Sequence, residues 1–337
     1  MPTLLDHRWG MVAETSYGTA VTVSRFYPRT DDCKHTWDPR RRQGVGITSG
    51  GRRAVLGART YLPSGKGEIT IKIPIESKAA GVLLNAAFGV STVTTVTGGA
   101  QMNFTDQLTG TTMPSSTIQF VDAQNDGTEV VTTFAGCVAT KVDLDQGNED
   151  ALMLGVTFDA LSRTTATAAA TKSYTYGTIF DAFQATHGLT GTLTVPTTTA
   201  LATGLTAFND VRSWKLSIDQ KMSLDRWNIN GGVRAVPVAG LPAIKFSAEI
   251  EHNATTLPAA LVAGTILPWY TTYTTTETLS AGFTQLQVVL PQIALTKGNQ
   301  APKVDGSVST FSIDGDVKNN GTGADVYLVY RSTDTAL

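Results

Sequence analysis

Apolar and polar residues alternate over short runs along most of the chain. A period of two places successive side chains on opposite faces of a strand. Ile69, Ile71, Ile73 and Ile75 alternate with Thr70, Lys72 and Pro74. Val142 and Leu144 alternate with Lys141, Asp143 and Asp145, and Leu216 and Ile218 sit between Lys215, Ser217 and Asp219. Near the C-terminus, Phe311 with Ile313, and Val326 with Leu328 and Tyr330, repeat the habit. Turn-forming groups such as Gln146-Gly147-Asn148 and Asn319-Asn320-Gly321 separate the runs. The pattern predicts a mainly β protein.

Two segments break it with helical signals. Ser77 to Phe88 is rich in Ala and Leu, with Ser77 placed to cap the helix and Gly89 to end it. Ala254 to Ala263 is the second, with Pro258 acceptable only in a first turn. Neither is long enough to organise a fold, so each is expected to cover a sheet.

The helices reveal an internal echo. Leu62-Pro63 leads through Lys66 to the strand at Ile69–Ile75, the first helix and Gly89. Leu241-Pro242 leads through Lys245 to Phe246–Ile250, the second helix and Gly264. Strand Thr117–Val121 follows the first helix and Leu286–Leu290 the second, while Lys141–Gln146 resembles Lys215–Gln220 at a different offset. A duplicated β-domain is the simplest explanation; the competing one is that any two β-rich halves share such an order. The expected division is a first β-domain over 1–161, a connection over 162–206, and a second β-domain over 207–337, each a sandwich or barrel with one flanking helix. The connection is Ala-, Thr- and Gly-rich, with Tyr174, Tyr176, Phe180 and Phe183 as expected anchors.

Composition sharpens this picture. Charged residues are 16% of the 337 positions and hydrophobic ones 41%, with surface polarity supplied by Thr and Ser. Such surfaces suit β-sheet and suit being covered by other subunits. A net charge of −2 argues against a dedicated nucleic-acid binder, which needs a basic excess. Cys33 and Cys137 fit no metal or redox spacing and are expected to be free thiols. Met1–Gly10 carries Asp6, His7 and Arg8 where a signal peptide would be apolar, and Leu257–Tyr270 is broken by Pro258, Gly264 and Pro268. A soluble product made in a cytoplasm, with no membrane partner, is the expectation.

The chain offers little catalytic chemistry. His7, His35, His187 and His252 have no ligand spacing. Gly44-Val45-Gly46-Ile47-Thr48-Ser49 lacks the third glycine of a dinucleotide loop, and Gly65-Lys66-Gly67 lacks the frame of a phosphate loop. Asp143 and Asp145 share a strand face, with Asp219 on a matching one; a glycosidase pair is less expected there than a solvated face. No enzyme, cofactor or metal site is expected. The segment Asp31–Tyr61 is long and basic, holding Arg40, Arg41, Arg42, Arg52, Arg53 and Arg59, with no acidic residue from Arg40 to Gly67. Its arginines suit a nucleic acid, an acidic partner surface or simple solvation, and the slightly negative net charge favours a partner.

Several stretches together resemble a known family. Glu14-Thr15-Ser16-Tyr17-Gly18-Thr19-Ala20-Val21-Thr22, followed by a strand around Phe26, resembles the opening of siphophage major tail tube proteins. Gly65–Ile69 through the helix to Gly89, Phe134-Ala135-Gly136-Cys137 on to Phe158, and Val211–Val329 are similar to later parts of that family. The Asp31–Tyr61 segment is longer and more Arg-rich than the family pattern. The resemblance implies a structural subunit of the virion tail. Rings of such subunits share a continuous inner β-barrel, and stacked rings conduct DNA during ejection without binding it specifically. It implies Asp143, Asp145 and Asp219 as lumen-facing acidic residues, and Arg40, Arg41, Arg42, Arg52, Arg53 and Arg59 as inter-ring contacts. Its implied partners are further copies of the chain, the tape measure protein and DNA in the lumen, and the tail terminator and tip proteins. With two tube domains per chain, a trimeric ring with pseudo-sixfold symmetry is favoured over a hexamer. The alternatives are another β-rich virion component, such as a capsid decoration or tail-terminator-like protein, or a carbohydrate-binding β-sandwich. The last predicts a signal peptide and surface aromatic clusters.

Overall fold

The computed structural model describes residues 7–39, 42–43, 60–61, 65–106, 113–124, 126, 128–166, 176–226, 234–251, 256–279, 282–301, 308–319, 321 and 323–334. The chain begins with β1 (Arg8–Ala13), β2 (Phe26–Pro28), β3 (Lys34–Asp38), β4 (Arg42–Gln43), β5 (Thr60–Tyr61) and β6 (Lys66–Pro74). Helix α1 (Ala80–Phe88) is followed by β7 (Val90–Val96), β8 (Gly99–Thr105), β9 (Ser116–Ala123) and the long β10 (Glu129–Gln146). Next come β11 (Met153–Ala160), β12 (Ser162–Ala166), β13 (Ala185–Thr194), β14 (Thr203–Ala207), β15 (Val211–Asp219) and β16 (Ala243–Glu251). Helix α2 (Thr256–Ala263), β17 (Ile266–Thr278), the long β18 (Phe283–Ala301), β19 (Thr310–Val317) and β20 (Tyr327–Ser332) complete it. The protein is mainly β, as the alternation predicts.

Among the described residues every ladder is antiparallel. One long run of neighbours is β3-β6-β11-β10-β15-β16-β19-β18-β17-β13-β14. The first half of β10 also pairs with β9, which continues to β1 and β2, and with β12. The first half of β18 also pairs with β20, which continues to β8 and β7. Followed strand by strand, these ladders never return to their start, so among the described residues the sheet is open and branched. Among the described residues no barrel closes within one chain.

Two four-strand stretches have the same construction, β3-β6-β11-β10 and β15-β16-β19-β18. Both long strands carry two bulges. In β10 one lies between Phe134 and Cys137 facing β9, the other between Ala139 and Lys141 facing β11. In β18 one falls between Leu290 and Ile293 facing β17, the other between Leu295 and Lys297 facing β19, with the same spacing. The lateral registers agree as well. Asp145 aligns with Met153 and Pro74, as Ala301 aligns with Thr310 and Glu251. Asp38 stands opposite Lys66 as Asp219 stands opposite Ala243, and Lys34 opposite Thr70 as Lys215 opposite Ser247. A bulge bends its strand, which lets each long strand pass from one set of neighbours to another.

These registers change the sequence echo. Thr117–Val121 lies in β9, whose counterpart is β17, whereas Leu286–Leu290 corresponds to the first half of β10. Lys141–Gln146 and Lys215–Gln220 are not counterparts: Lys141 pairs with Asp219 and Asp145 with Lys215 across one ladder. The resemblance arises because both strands present Lys and Asp to the same face.

The inward face of the long sheet carries Ile69, Ile71, Val142, Leu144, Leu216, Phe246 and Ile313, all buried in one cluster with Trp9, Phe120, Trp269 and Tyr330. This cluster draws on both halves of the chain. Helix α1 buries nearly its whole length there and ends, as predicted, at Gly89, whose φ of 79° is a left-handed conformation open to glycine. Its start differs from the prediction. Ala79, not Ser77, precedes the helix, and no side chain caps it. Ser77 is buried, accepts the Thr178 N–H and donates to the Glu277 carboxylate. Tertiary partners therefore recruit the hydroxyl. Helix α2 begins at Thr256 with Pro258 inside its first turn, as expected.

The connection over 162–206 is built into the sheet through β12, β13 and β14. Of its expected anchors, Phe180 is buried against Tyr273 and Tyr330, whereas Tyr176 and Phe183 are exposed. Tyr174 lies outside the described residues. Cys33 and Cys137 are free, as expected, and both are buried.

Candidate functional site: the charged face of the long sheet

Alternation fixes which side chains the long sheet turns away from its core. On β10 these are Lys141, Asp143 and Asp145; on β15, Lys215, Ser217 and Asp219. The three predicted acidic residues therefore share one polar face across a single ladder. Their side chains keep 25%, 35% and 43% of their accessible surface for Asp143, Asp145 and Asp219, enough to meet solvent.

The acids do not stand alone. Asp143 lies 2.8 Å from Lys141 Nζ and 4.0 Å from Lys215 Nζ, and Asp145 lies 3.1 Å from Lys72 Nζ. Asp219 accepts from Lys221 Nζ at 2.5 Å and from the Lys221 N–H at 2.9 Å, and those bonds lower its pKa. The alternation continues across the next strands, where Lys245 stands opposite Asp316 and Lys297 opposite Asp314. Opposite charges on neighbouring strands stabilise a ladder by roughly 0.2–1 kcal/mol per pair, and like charges oppose it. The result is a mixed lattice whose lysines are answered by carboxylates. Such a face gives a polyanion no unopposed basic patch to adhere to. The lysines were present in the strings Lys141-Val142-Asp143-Leu144-Asp145 and Lys215-Leu216-Ser217-Ile218-Asp219, but their pairing depends on which strands become neighbours.

The predicted inter-ring arginines are a different case. Arg40, Arg41, Arg52, Arg53 and Arg59 lie outside the described residues. Arg42 is described as backbone in β4, opposite Tyr61 of β5.

Two clusters had no sequence signal. His7, Arg29 and His35 converge on Asp122, with His7 Nδ1 at 3.2 Å and His35 Nε2 at 4.0 Å. Burial would raise the Asp122 pKa, but His35, Arg29 and His7 outweigh it and hold it at about 2. Arg234 is buried, donates Nε–H to Leu224 O at 2.8 Å and pairs with buried Asp159, fastening the segment after β15 to β11. Among the described residues no His, Cys, Asp and Glu groups come together as a metal site, and no helix is long and apolar enough to cross a membrane.

No curated protein matches the chain significantly. Residues 5–315, nearly the whole chain, match a family described as phage tail tube protein. An open antiparallel sheet with a charge-paired face fits a structural role for that family. The chain belongs to the phage tail tube protein family.

Proposed function

We propose that this chain is the structural, non-enzymatic subunit of a siphophage tail tube. Copies join edge to edge into rings, rings stack, and DNA passes through the lumen during ejection. The observation that carries this reading is the open sheet, in which a four-strand arrangement recurs with matching registers and bulges. An open sheet is a liability unless its edges are covered, and closure with other copies covers them. The charge-paired face of β10 and β15 is the proposed lumen wall, with Asp143, Asp145 and Asp219 in it. Carboxylates there repel the phosphates while the lysines beside them moderate the field.

The recurrence also supports reading the chain as two tandem tube-type domains, 1–161 and 207–337, joined by 162–206. Three chains then form a pseudo-sixfold ring. With eight wall strands per chain, about 4.8 Å apart and tilted by about 40°, such a ring is roughly 48 Å across at the backbone. Two chains would close at about 32 Å, leaving little room for a duplex once side chains line the wall. Within this reading Arg40, Arg41, Arg42, Arg52, Arg53 and Arg59 form an inter-ring clasp. The tape measure protein occupies the lumen before DNA, and terminator and tip proteins close the ends.

Negative-stain electron microscopy of the purified protein tests the proposal. Hollow rings or striated tubes are expected, and threefold end-on averages identify the trimer. A strictly globular monomer at high concentration would reject the tube. Deleting Arg40–Arg53 should leave rings that no longer stack; normal tubes from that variant would reject the clasp.

A further inference from the structure

The junction between the two four-strand stretches supplies a template for the junction between copies. Inside the chain, the second half of β10 meets β15, with Lys141 opposite Asp219, Asp143 opposite Ser217 and Asp145 opposite Lys215. By the matched registers, the counterpart of Lys141–Asp145 is Lys297–Ala301 in β18, and the counterpart of Lys215–Asp219 is Lys34–Asp38 in β3. Among the described residues, β18 beyond Ala294 has a ladder on its β19 side only, and the ladder of β3 is the one to β6.

We infer that a second copy of this chain docks here, its β3 adding antiparallel to the second half of β18, with Asn299 opposite the partner copy's Thr36. The same register sets Gly298 opposite Trp37, Gln300 opposite His35 and Lys297 opposite Asp38. Charge supports it. The internal junction opens with a lysine facing an aspartate, Lys141 and Asp219, and the external one repeats that order with Lys297 and Asp38. Asn299 and Thr36 are both exposed, on the polar face that Asp143 and Ser217 occupy at the internal junction. The contact is heterologous, since different edges meet, so repeating it produces a ring when the rotation closes. Internal and external junctions of the same kind make the steps within and between chains equivalent.

This inference rests on the ring reading and adds its register. The test is oxidative cross-linking of the full-length chain carrying Asn299→Cys and Thr36→Cys, under conditions in which electron microscopy reports assembly. The internal control is Asp143→Cys with Ser217→Cys, the same pairing within one chain. Native Cys33 and Cys137 are buried, and the single variants measure their background. The expected result is conversion of the monomer band into covalent multimers by the Asn299/Thr36 pair, with none from either single variant. Rings that form while only the internal control cross-links would overturn this register and leave the ring reading standing. Multimers from Asn299→Cys with Lys34→Cys, in place of Thr36→Cys, would also overturn it. A chain that never assembles rejects both.

Discussion

Tyr273→Phe isolates a single hydrogen bond that ties one ladder to another across the core. Trp214 of β15 donates its Nε1–H to the Tyr273 hydroxyl of β17 at 2.9 Å, and both residues are buried. Phe preserves the ring that packs edge-on against Phe180 at 6.3 Å, so little packing is lost. The loss is the acceptor. The indole N–H then stays buried without that partner, a cost of about 1–3 kcal/mol and larger than the bond's own net worth. Taking about 2 kcal/mol, a chain of this size should melt roughly 3 °C lower. Urea unfolding followed by tryptophan fluorescence measures it, with Trp214→Phe and the double variant completing a cycle. Trp214→Phe should cost less in the Tyr273→Phe background than in the parent. A destabilisation below about 0.5 kcal/mol, or full additivity of the two changes, would refute the assignment of this bond as a stabilising link.

Three further outcomes are expected. Burial pushes the His187 pKa down to about 4. The unfolded chain therefore takes up its proton first, and stability present above about pH 6.5 is lost as pH falls towards 4, by up to about 3 kcal/mol. His187→Gln should remove that part of the slope, and an unchanged slope in pH-dependent urea titrations would contradict it. Arg234→Met leaves Asp159 buried without its guanidinium and should cost about 3 kcal/mol, the low end for such pairs because Lys66 Nζ lies 4.0 Å away. Adding Asp159→Leu should recover most of that stability, and a further loss of the same size would contradict the pair. Gly89→Ala forces a side chain into a φ of 79° and should cost about 1 kcal/mol in thermal unfolding, whereas Gly89→Asn should cost less; equal losses would count against backbone strain as the cause.

Alternation, turn residues and helix ends were legible because each is a local property. Ile69 and Ile71 face the core and Asp143 and Asp145 face away from it because a strand has no other way to display them. Gly89 ends α1 because few other residues adopt that backbone conformation. Mainly β structure, two short helices and the outward facing of Asp143 and Asp145 on one strand and Asp219 on another all follow from the chain alone.

Strand neighbours did not follow from it. A strand's face is fixed by its own sequence, but its register is fixed by a partner far along the chain. That is why Lys141–Gln146 and Lys215–Gln220 looked like repeats and are instead cross-strand partners. It is also why the structural counterpart of Lys215–Asp219, at Lys34–Asp38, carries no local sequence mark. Ser77 illustrates the same limit: it has the chemistry of a cap, but Glu277 and Thr178 reach it in the folded protein. The lysines that answer Asp143 and Asp145 were likewise visible as residues and invisible as partners. Sequence determined which side chains face which way; only the long-range ladders decided what each of them meets.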